Sequence, residues 1–566
     1  MTAAFVRQLG AESGVQLNPL KDNSEIPSTD NSDQCFGIVM RATRGRIDRP
    51  FTVDRGTVYT KLGYGESIRL SDLNEAWIHV VEALNNGAYE AVVSRLSTDK
   101  AKIKWAVCKA AAAGKESDGV GQAQTGKAVT ASTAYSFEVS ESDPSGEFLF
   151  AVKHLECFND GIVLEFHAEE TIGEESEPAD NPEITLRVKD VKDNLLYEFT
   201  GSLDPNAVDD YGASYYLPDV VAAQTDALEV KVGVTGVKAV VAAGSAAYGY
   251  AANGTQNWCA SGTLLCFDEG GTDYQTADYQ RACSALQYSQ NDFAYISSGG
   301  SQSTALLAQL AQLAYDTNRQ LRFDISGKLT PDAAIAFLNQ LNFGANKCAH
   351  LLHAFWSPLK SDDPTGVNPA GVYGVATLNI ALACARNAVK DANGFAKKNY
   401  PIAGREYPVN RTRIVQLCTV TNQDKNKLAR AKINPVIYET YTGGGRYVFF
   451  DSLTCALVDQ SLRKLIAVAD MSTTVDDAVT RAAKDYLQLP MDEAVSRLSK
   501  YLTDYFDGAK AAKWIVASSD PMMEGNAYRF VVQPNAAKPY DAIDVSYWVR
   551  YDGTNRQTFV TQTITR

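Results

Sequence analysis

Three runs near the end of the chain decide how it is read: Ala527-Tyr-Arg-Phe-Val-Val-Gln-Pro534, Ile543-Asp-Val-Ser-Tyr-Trp-Val-Arg-Tyr551 and Gln557-Thr-Phe-Val-Thr-Gln-Thr-Ile-Thr565. In the first two, Tyr528, Phe530 and Val532, then Ile543, Val545, Tyr547 and Val549, alternate with polar residues. A period of two marks strands with one buried face. Asp552-Gly553 supplies a turn. The third run is rich in β-branched and aromatic residues, which favour a strand. Such a segment either closes its own sheet or leaves to complete a neighbour's by strand addition.

The totals narrow the choice. At 566 residues the chain exceeds one core, and roughly three or four domains are expected. With 53 basic and 67 acidic residues the net charge is −14, which argues against binding nucleic acid or another polyanion directly. No apolar run approaches the ~18 residues of a membrane span. The smoothest stretch, Val237 to Ala252, is Ala/Gly-rich and broken by Ser245. The first residues lack the basic-then-apolar layout of a signal peptide, so folding in a cytoplasm is expected. Ten scattered cysteines without a CxxC pair read as buried thiols.

Residues 1–34 read as an arm: one apolar knot, Ala3-Ala-Phe-Val-Arg-Gln-Leu9, then polar sequence to Asp33. Cys35 to Thr60 is β-like. A helix follows, with Asp72 and Glu75 at capping-box spacing, a stripe of Leu73, Trp77, Val80, Val81 and Leu84, and a stop at Asn86-Gly87. Strand-like runs at 135–139, 148–154, 162–168, 184–188 and 195–200 predict a β-rich insertion. Strand and helix then alternate, with strands at 293–297 and 321–325, helices at 303–316 and from Thr330-Pro331 onward, and a strand at 348–356; this predicts an α/β layer. Further on come a hairpin about Gly443-Gly-Gly445 and helices at 452–469, 474–487 and 491–507.

Catalytic and ligand chemistry is thinly represented. Gly299-Gly300 lies between a strand and a helix, where amides could cradle a phosphate, but no lysine accompanies it and an αβ loop is expected. Cys348, His350 and His353 are close in sequence, yet on a strand the two histidines face opposite ways and a fourth ligand is missing. Asp268, Glu269 and Asp273 read as a solvated acidic loop. There is no GxSxG elbow. Lys500, Lys510 and Lys513 read as a solvated face or a binding surface.

Taken in order, these segments resemble the contractile-tail sheath proteins of myophages. Phe36-Gly-Ile-Val-Met-Arg-Ala-Thr-Arg-Gly45 with Pro50 is similar to that family's opening strand and turn. The 72–87 helix leading into Gly87-Ala-Tyr-Glu-Ala-Val-Val-Ser-Arg95 resembles its helix, glycine and strand unit. Cys157-Phe-Asn-Asp-Gly-Ile-Val-Leu-Glu-Phe166 and Tyr197-Glu-Phe-Thr-Gly-Ser-Leu-Asp204 resemble its middle β segments, and Leu306 to Phe323 its helix into an aspartate-ended strand. Leu428-Ala-Arg-Ala-Lys-Ile-Asn-Pro435 with Gly443-Gly-Gly-Arg-Tyr-Val448 resembles its asparagine–proline turn and glycine-bearing strand. Two departures stand out: Phe449-Phe450 replaces the tryptophan usual after that strand, and Cys157-Phe-Asn-Asp160 the usual Gly-Trp-Gly-Asn-like entry.

The resemblance implies a multi-domain α+β fold: a discontinuous α/β core, a β-rich outward insertion, and N- and C-terminal arms that exchange strands between subunits. The implied division is an arm at 1–34, a middle domain at 35–99 and 206–424, the insertion at 100–205, a tube-facing core at 425–553 and an exchange strand at 554–566. Phe5, Val6 and Leu9 at one end and Phe559, Val560, Thr561 and Ile564 at the other would carry the exchange. Arg497, Lys500, Lys510 and Lys513 would face the tube. Implied partners are further copies of the chain, the inner tail tube protein, and baseplate and neck or terminator proteins. The location would be the phage virion, assembled in a host cytoplasm, with no catalysis, cofactor or metal. An α/β enzyme on residues 290–400 and a surface-array or adhesin-like protein are the rival readings.

Overall fold

The computed structural model describes residues 31–110, 135–168, 184–209, 211–234, 259–260 and 264–565. Phe5, Val6 and Leu9, the acidic loop at 169–180 and the Ala/Gly-rich stretch at 237–252 lie outside them.

Cys35–Met40 is six consecutive buried residues, as expected of a strand covered on both faces. It lies inside an eight-stranded sheet whose spatial order is Gly444–Phe449, Ile433–Tyr441, Leu352–Trp356, Gln320–Ile325, Tyr295–Ser297, Cys35–Met40, Glu90–Arg95 and Phe51–Val53. The six inner strands are parallel, and the two edge strands pair antiparallel to their neighbours. Phe36, Ile38 and Met40 join the core under helices Glu75–Asn85 and Ala376–Asn387, while Cys35 and Val39 join the core under Thr276–Gln287, Thr304–Thr317 and Pro331–Leu341. The sheet is therefore doubly wound. Gly37 stands where a Cβ would lie 3.0 Å from Phe293 and 3.1 Å from Leu286, so the crossing depends on its missing side chain.

Local signals fix several helix starts. Ser303 accepts from the Leu306 amide at 3.4 Å, and Thr330 from Ala333 at 3.3 Å with Pro331 in the first turn. Four sequence expectations are corrected. The Asp72/Glu75 capping box does not form: Ser71 caps a 3-10 turn at Asp72–Asn74, and the α-helix begins at Glu75. The helices expected at 452–469 and 474–487 are one helix, Ile466–Asp485. Residues 452–455 are instead drawn to the sheet, where Leu453 N donates to Asn434 Oδ1 at 2.6 Å and Cys455 N to Leu352 O at 2.8 Å. Asn434-Pro435 is not a turn but lies within strand Ile433–Tyr441, the chain having turned one step earlier at Lys432 (φ 64°). The strand expected at 348–356 is confined to Leu352–Trp356, preceded by a 3-10 turn at Ala349–Leu351.

Two four-stranded sheets take six strands from the insertion expected at 100–205 and one strand each from residues beyond it, so these sheets reach past the expected boundary. One runs Leu228–Val232, Phe150–His154, Trp105–Ala110, Tyr135–Ser140; the other Cys259–Ala260, Ile162–Ala168, Ile184–Asp190, Leu195–Gly201. Phe137, Phe150 and Phe166 meet edge to face at 5.0–6.0 Å between them. The same core takes in Leu217, Val221, Leu228 and Leu265. Buried arginines tie it to the central sheet: Arg95 donates to the Gly45 and Cys157 carbonyls at 2.6 Å each and to Asn159 Oδ1 at 2.8 Å, and Arg41 donates to Glu269 Oε1 at 2.7 Å.

Candidate assembly site

The C-terminal unit is organised by helix Met491–Ala511. Its buried residues Ala494, Leu498, Leu502, Phe506 and Ala509 recur at helical spacing, and Asp492 and Glu493 sit in the first turn, where the helix dipole favours anions. That face packs with Met471, Val475 and Val479 of the preceding helix and with an antiparallel hairpin. The hairpin pairs Tyr528–Pro534 with Ile543–Val549 in the register Tyr528↔Val549, Phe530↔Tyr547, Val532↔Val545. Phe506 supports its inner face, with ring centroids 5.1 Å from Tyr528, 5.8 Å from Tyr547 and 6.3 Å from Phe530. Tyr528 donates to Asp507 Oδ1 at 2.8 Å and Tyr547 to Asp476. Burial, reinforced by Asp507, pushes the Tyr528 phenol up to about 12. Among the described residues this ladder has two strands, so both outer edges lack a neighbouring strand.

The chain leaves the hairpin in steps. Val516 N donates to Arg550 O and Asp552 N to Trp514 O, each at 2.9 Å, and Tyr551 bridges Ile515. Arg556 then sets its guanidinium fork on the buried Asp451 carboxylate, with Nε to Oδ1 at 2.8 Å and Nη2 on Oδ2. Residues 557–565 form no strand and are exposed throughout. Phe559, Val560 and Ile564 are 89%, 88% and 90% exposed, with Thr561 among them. The bare apolar tail and the open-edged hairpin thus belong to one unit.

No family model matches this sequence, and no curated protein does. Among solved structures the chain is similar to one from the six-fold symmetrised anti-feeding prophage baseplate: 11% identity, 53% of this chain and 77% of that chain covered, TM-score 0.39. It is also similar to a chain of the contracted sheath complex of PVC, an extracellular contractile injection system: 12% identity, 54% and 76% covered, TM-score 0.40. A chain of the contracted anti-feeding prophage baseplate gives 13% identity, 53% and 80% covered, TM-score 0.37. These neighbours are parts of contractile particles. All three likenesses are partial.

Asp33, near the first described residue, is also anchored. Asp33 O accepts from Asn387 Nδ2 at 2.7 Å, and its carboxylate faces Lys398 Nζ at 3.5 Å and Lys390 Nζ at 3.7 Å. Asn387 belongs to the helix that also supplies Arg386. That arginine and Arg322 grip Asp470 at 2.9 and 3.2 Å, binding the central sheet to helix Ile466–Asp485. Burial would raise the Asp470 carboxyl, but the two guanidiniums hold it down at about 2. Sequence reasoning missed this lock; its one signal is an aspartate inside the apolar run Ile466-Ala-Val-Ala-Asp-Met471.

Arg497, Lys500, Lys510 and Lys513 are exposed, on or just after the long helix. Arg497 pairs with Glu493 at 2.5 Å, and exposed Asp492, Asp504 and Asp507 intervene, so the surface is of mixed sign. At the carboxyl ends of the parallel strands, where α/β enzymes hold ligands, the ends of Tyr295–Ser297 and Gln320–Ile325 are packed against neighbouring helices. Asp324 Oδ1 accepts from the Val375 and Ala376 amides at 2.6 and 2.9 Å, at the start of helix Ala376–Asn387. Gly299 and Gly300, at φ 58° and 76°, press on Ala76, Glu75 and His79, leaving the loop no open cradle. His353 Nε2 lies 3.2 Å from His350 O, and no metal-binding group of histidine, cysteine or carboxylates occurs among the described residues.

Proposed function

We propose that this protein is a structural and mechanical subunit, the sheath protein of a contractile tail. Copies stack helically around an inner tube, bound between baseplate and neck proteins. Contraction of the lattice drives the tube through a cell envelope for genome delivery. The single observation that carries this is the pairing, in one unit, of an exposed β-prone tail with a hairpin open at both edges. Donated to the hairpin of the next copy, the tail gains backbone hydrogen bonds worth roughly 0.5–1.5 kcal/mol each and covers alternate side chains. Because the donor and the acceptor edge are different surfaces, the contact is heterologous and propagates as a helix instead of closing into a dimer. One arm is modest; many arms hold a lattice together while the folded bodies slide and rotate. Phe5, Val6 and Leu9 would add a second exchanged strand, and Arg497, Lys500, Lys510 and Lys513 a polar contact to the tube that breaks on firing.

Negative-stain microscopy of purified protein tests the reading. Long hollow cylinders are expected, and a variant lacking residues 554–566 should remain a folded monomer that forms none. Cylinders from that truncated chain would remove the exchange role of the tail.

A further inference from the structure

The tail could pivot at Gly553, which is exposed and where an added Cβ would meet only the Leu462 side chain, at 3.9 Å. It does not leave there. Arg556 reaches back to Asp451, whose carboxylate is 9% exposed and also accepts from Ser452 N at 2.9 Å. Beyond Arg556, the described residues make no hydrogen bond except Thr558 to Asn555, within the tail itself. The pair closes one side of a groove of about 570 Å³ lined by Gly404, Lys425, Phe450, Thr554 and Arg556. Lys425, which lines the same groove, is occupied elsewhere, pairing with Glu439 and lying 4.7 Å over the Phe450 ring. From these contacts we infer that the Asp451–Arg556 pair is a latch that fixes where the exchange strand departs, with Arg556 the positioning residue of assembly. This rests on the tail being a donor strand.

The physical advantage is in the tether. Releasing the latch lengthens the free segment from residues 557–565 to residues 553–565 and lets its direction swing. Effective concentration at a neighbour's edge falls roughly as the −3/2 power of tether length, about twofold here, before the loss of direction is counted. A two-pronged guanidinium–carboxylate contact fixes direction as well as position, which a lysine cannot do.

The full chain carries its own probe, since trypsin cleaves after Arg556 and residues 557–566 contain no other internal site. Asp451→Asn keeps an acceptor for Ser452 N while removing the ion pair. In unassembled protein it should release the 557–566 peptide, followed by mass spectrometry, about two- to fivefold faster, the range of a partly exposed pair. Arg556→Ala should raise the concentration needed for cylinder formation about twofold or more, and Arg556→Lys should fall between. A wild-type release rate in Asp451→Asn, or a wild-type assembly threshold in Arg556→Ala, overturns the latch. A chain ending at Arg556 separates the two ideas. If it still assembles, the donor reading fails; if it does not assemble while both variants behave as wild type, the latch alone fails.

Discussion

His79 shows how much one buried residue can be asked to hold. It is fully buried, with Nε2 3.0 Å from Glu75 Oε1 and Nδ1 3.9 Å from Glu82 Oε2, while Glu82 is also gripped by Arg411 at 2.6 Å and Asp324 lies beyond. Burial alone would lower its pKa; the two carboxylates raise it to about 9. The folded value lies above the unfolded value of about 6.5, so the protonated ring stabilises the fold. That contribution is complete below about pH 6.5 and is lost as pH rises through about 9. Urea unfolding of wild type and His79→Gln at about pH 6 and about pH 10 should therefore show a stability gap that shrinks at the higher pH. An undiminished gap would mean that the ring is neutral in the native state. Asn434 is a quieter case: its side-chain amide donates to Ala354 O and Leu453 O while its oxygen accepts from Leu453 N. That explains an asparagine inside a strand where sequence alone suggests a turn.

At the scale of elements, periodicity was a good guide where one packing surface decides the outcome. The helix expected at 491–507 formed, and the Tyr528–Val549 alternation became a hairpin with the expected inner face. It was a poor guide where contacts distant in sequence compete. Thr473 and Thr474, which look like a break, are absorbed by bonding back to Ala469 O and Asp470 O within one long helix. Residues 452–455 forgo helix for hydrogen bonds to a strand about a hundred residues earlier in the chain and to Asn434. The hairpin's inner face rests on the Phe506 ring. Phe506→Ala should cost about 3–5 kcal/mol, and amide exchange should rise at 528–534 and 543–549 more than in the central sheet. Equal protection in both regions would show that the hairpin does not depend on that ring.

For the molecule as a whole, the question is how a subunit can move without coming apart. Arg95 and Arg41 fasten the insertion to the central sheet, and Asp470 between Arg322 and Arg386 fastens the sheet to the C-terminal unit. Breaking one partner of a buried pair leaves charge uncompensated, so Asp470→Asn should lower unfolding stability by about 3–5 kcal/mol in denaturant titration. A loss under about 1 kcal/mol would show the lock to be dispensable. With these locks in place, the motion that the proposal requires falls to segments beyond them, such as the tail after Arg556.

The sequence by itself determined the β runs between 135 and 201, the helix from 491 and the alternating strands of the hairpin, because those depend on spacing along a few neighbouring residues. Only the tertiary structure decided that the tail and an open-edged hairpin share one unit, that Asp451 catches Arg556, and that Asp470 and His79 are buried among opposite charges. Ion pairs and sheet edges depend on which distant segments meet, and no local period records that.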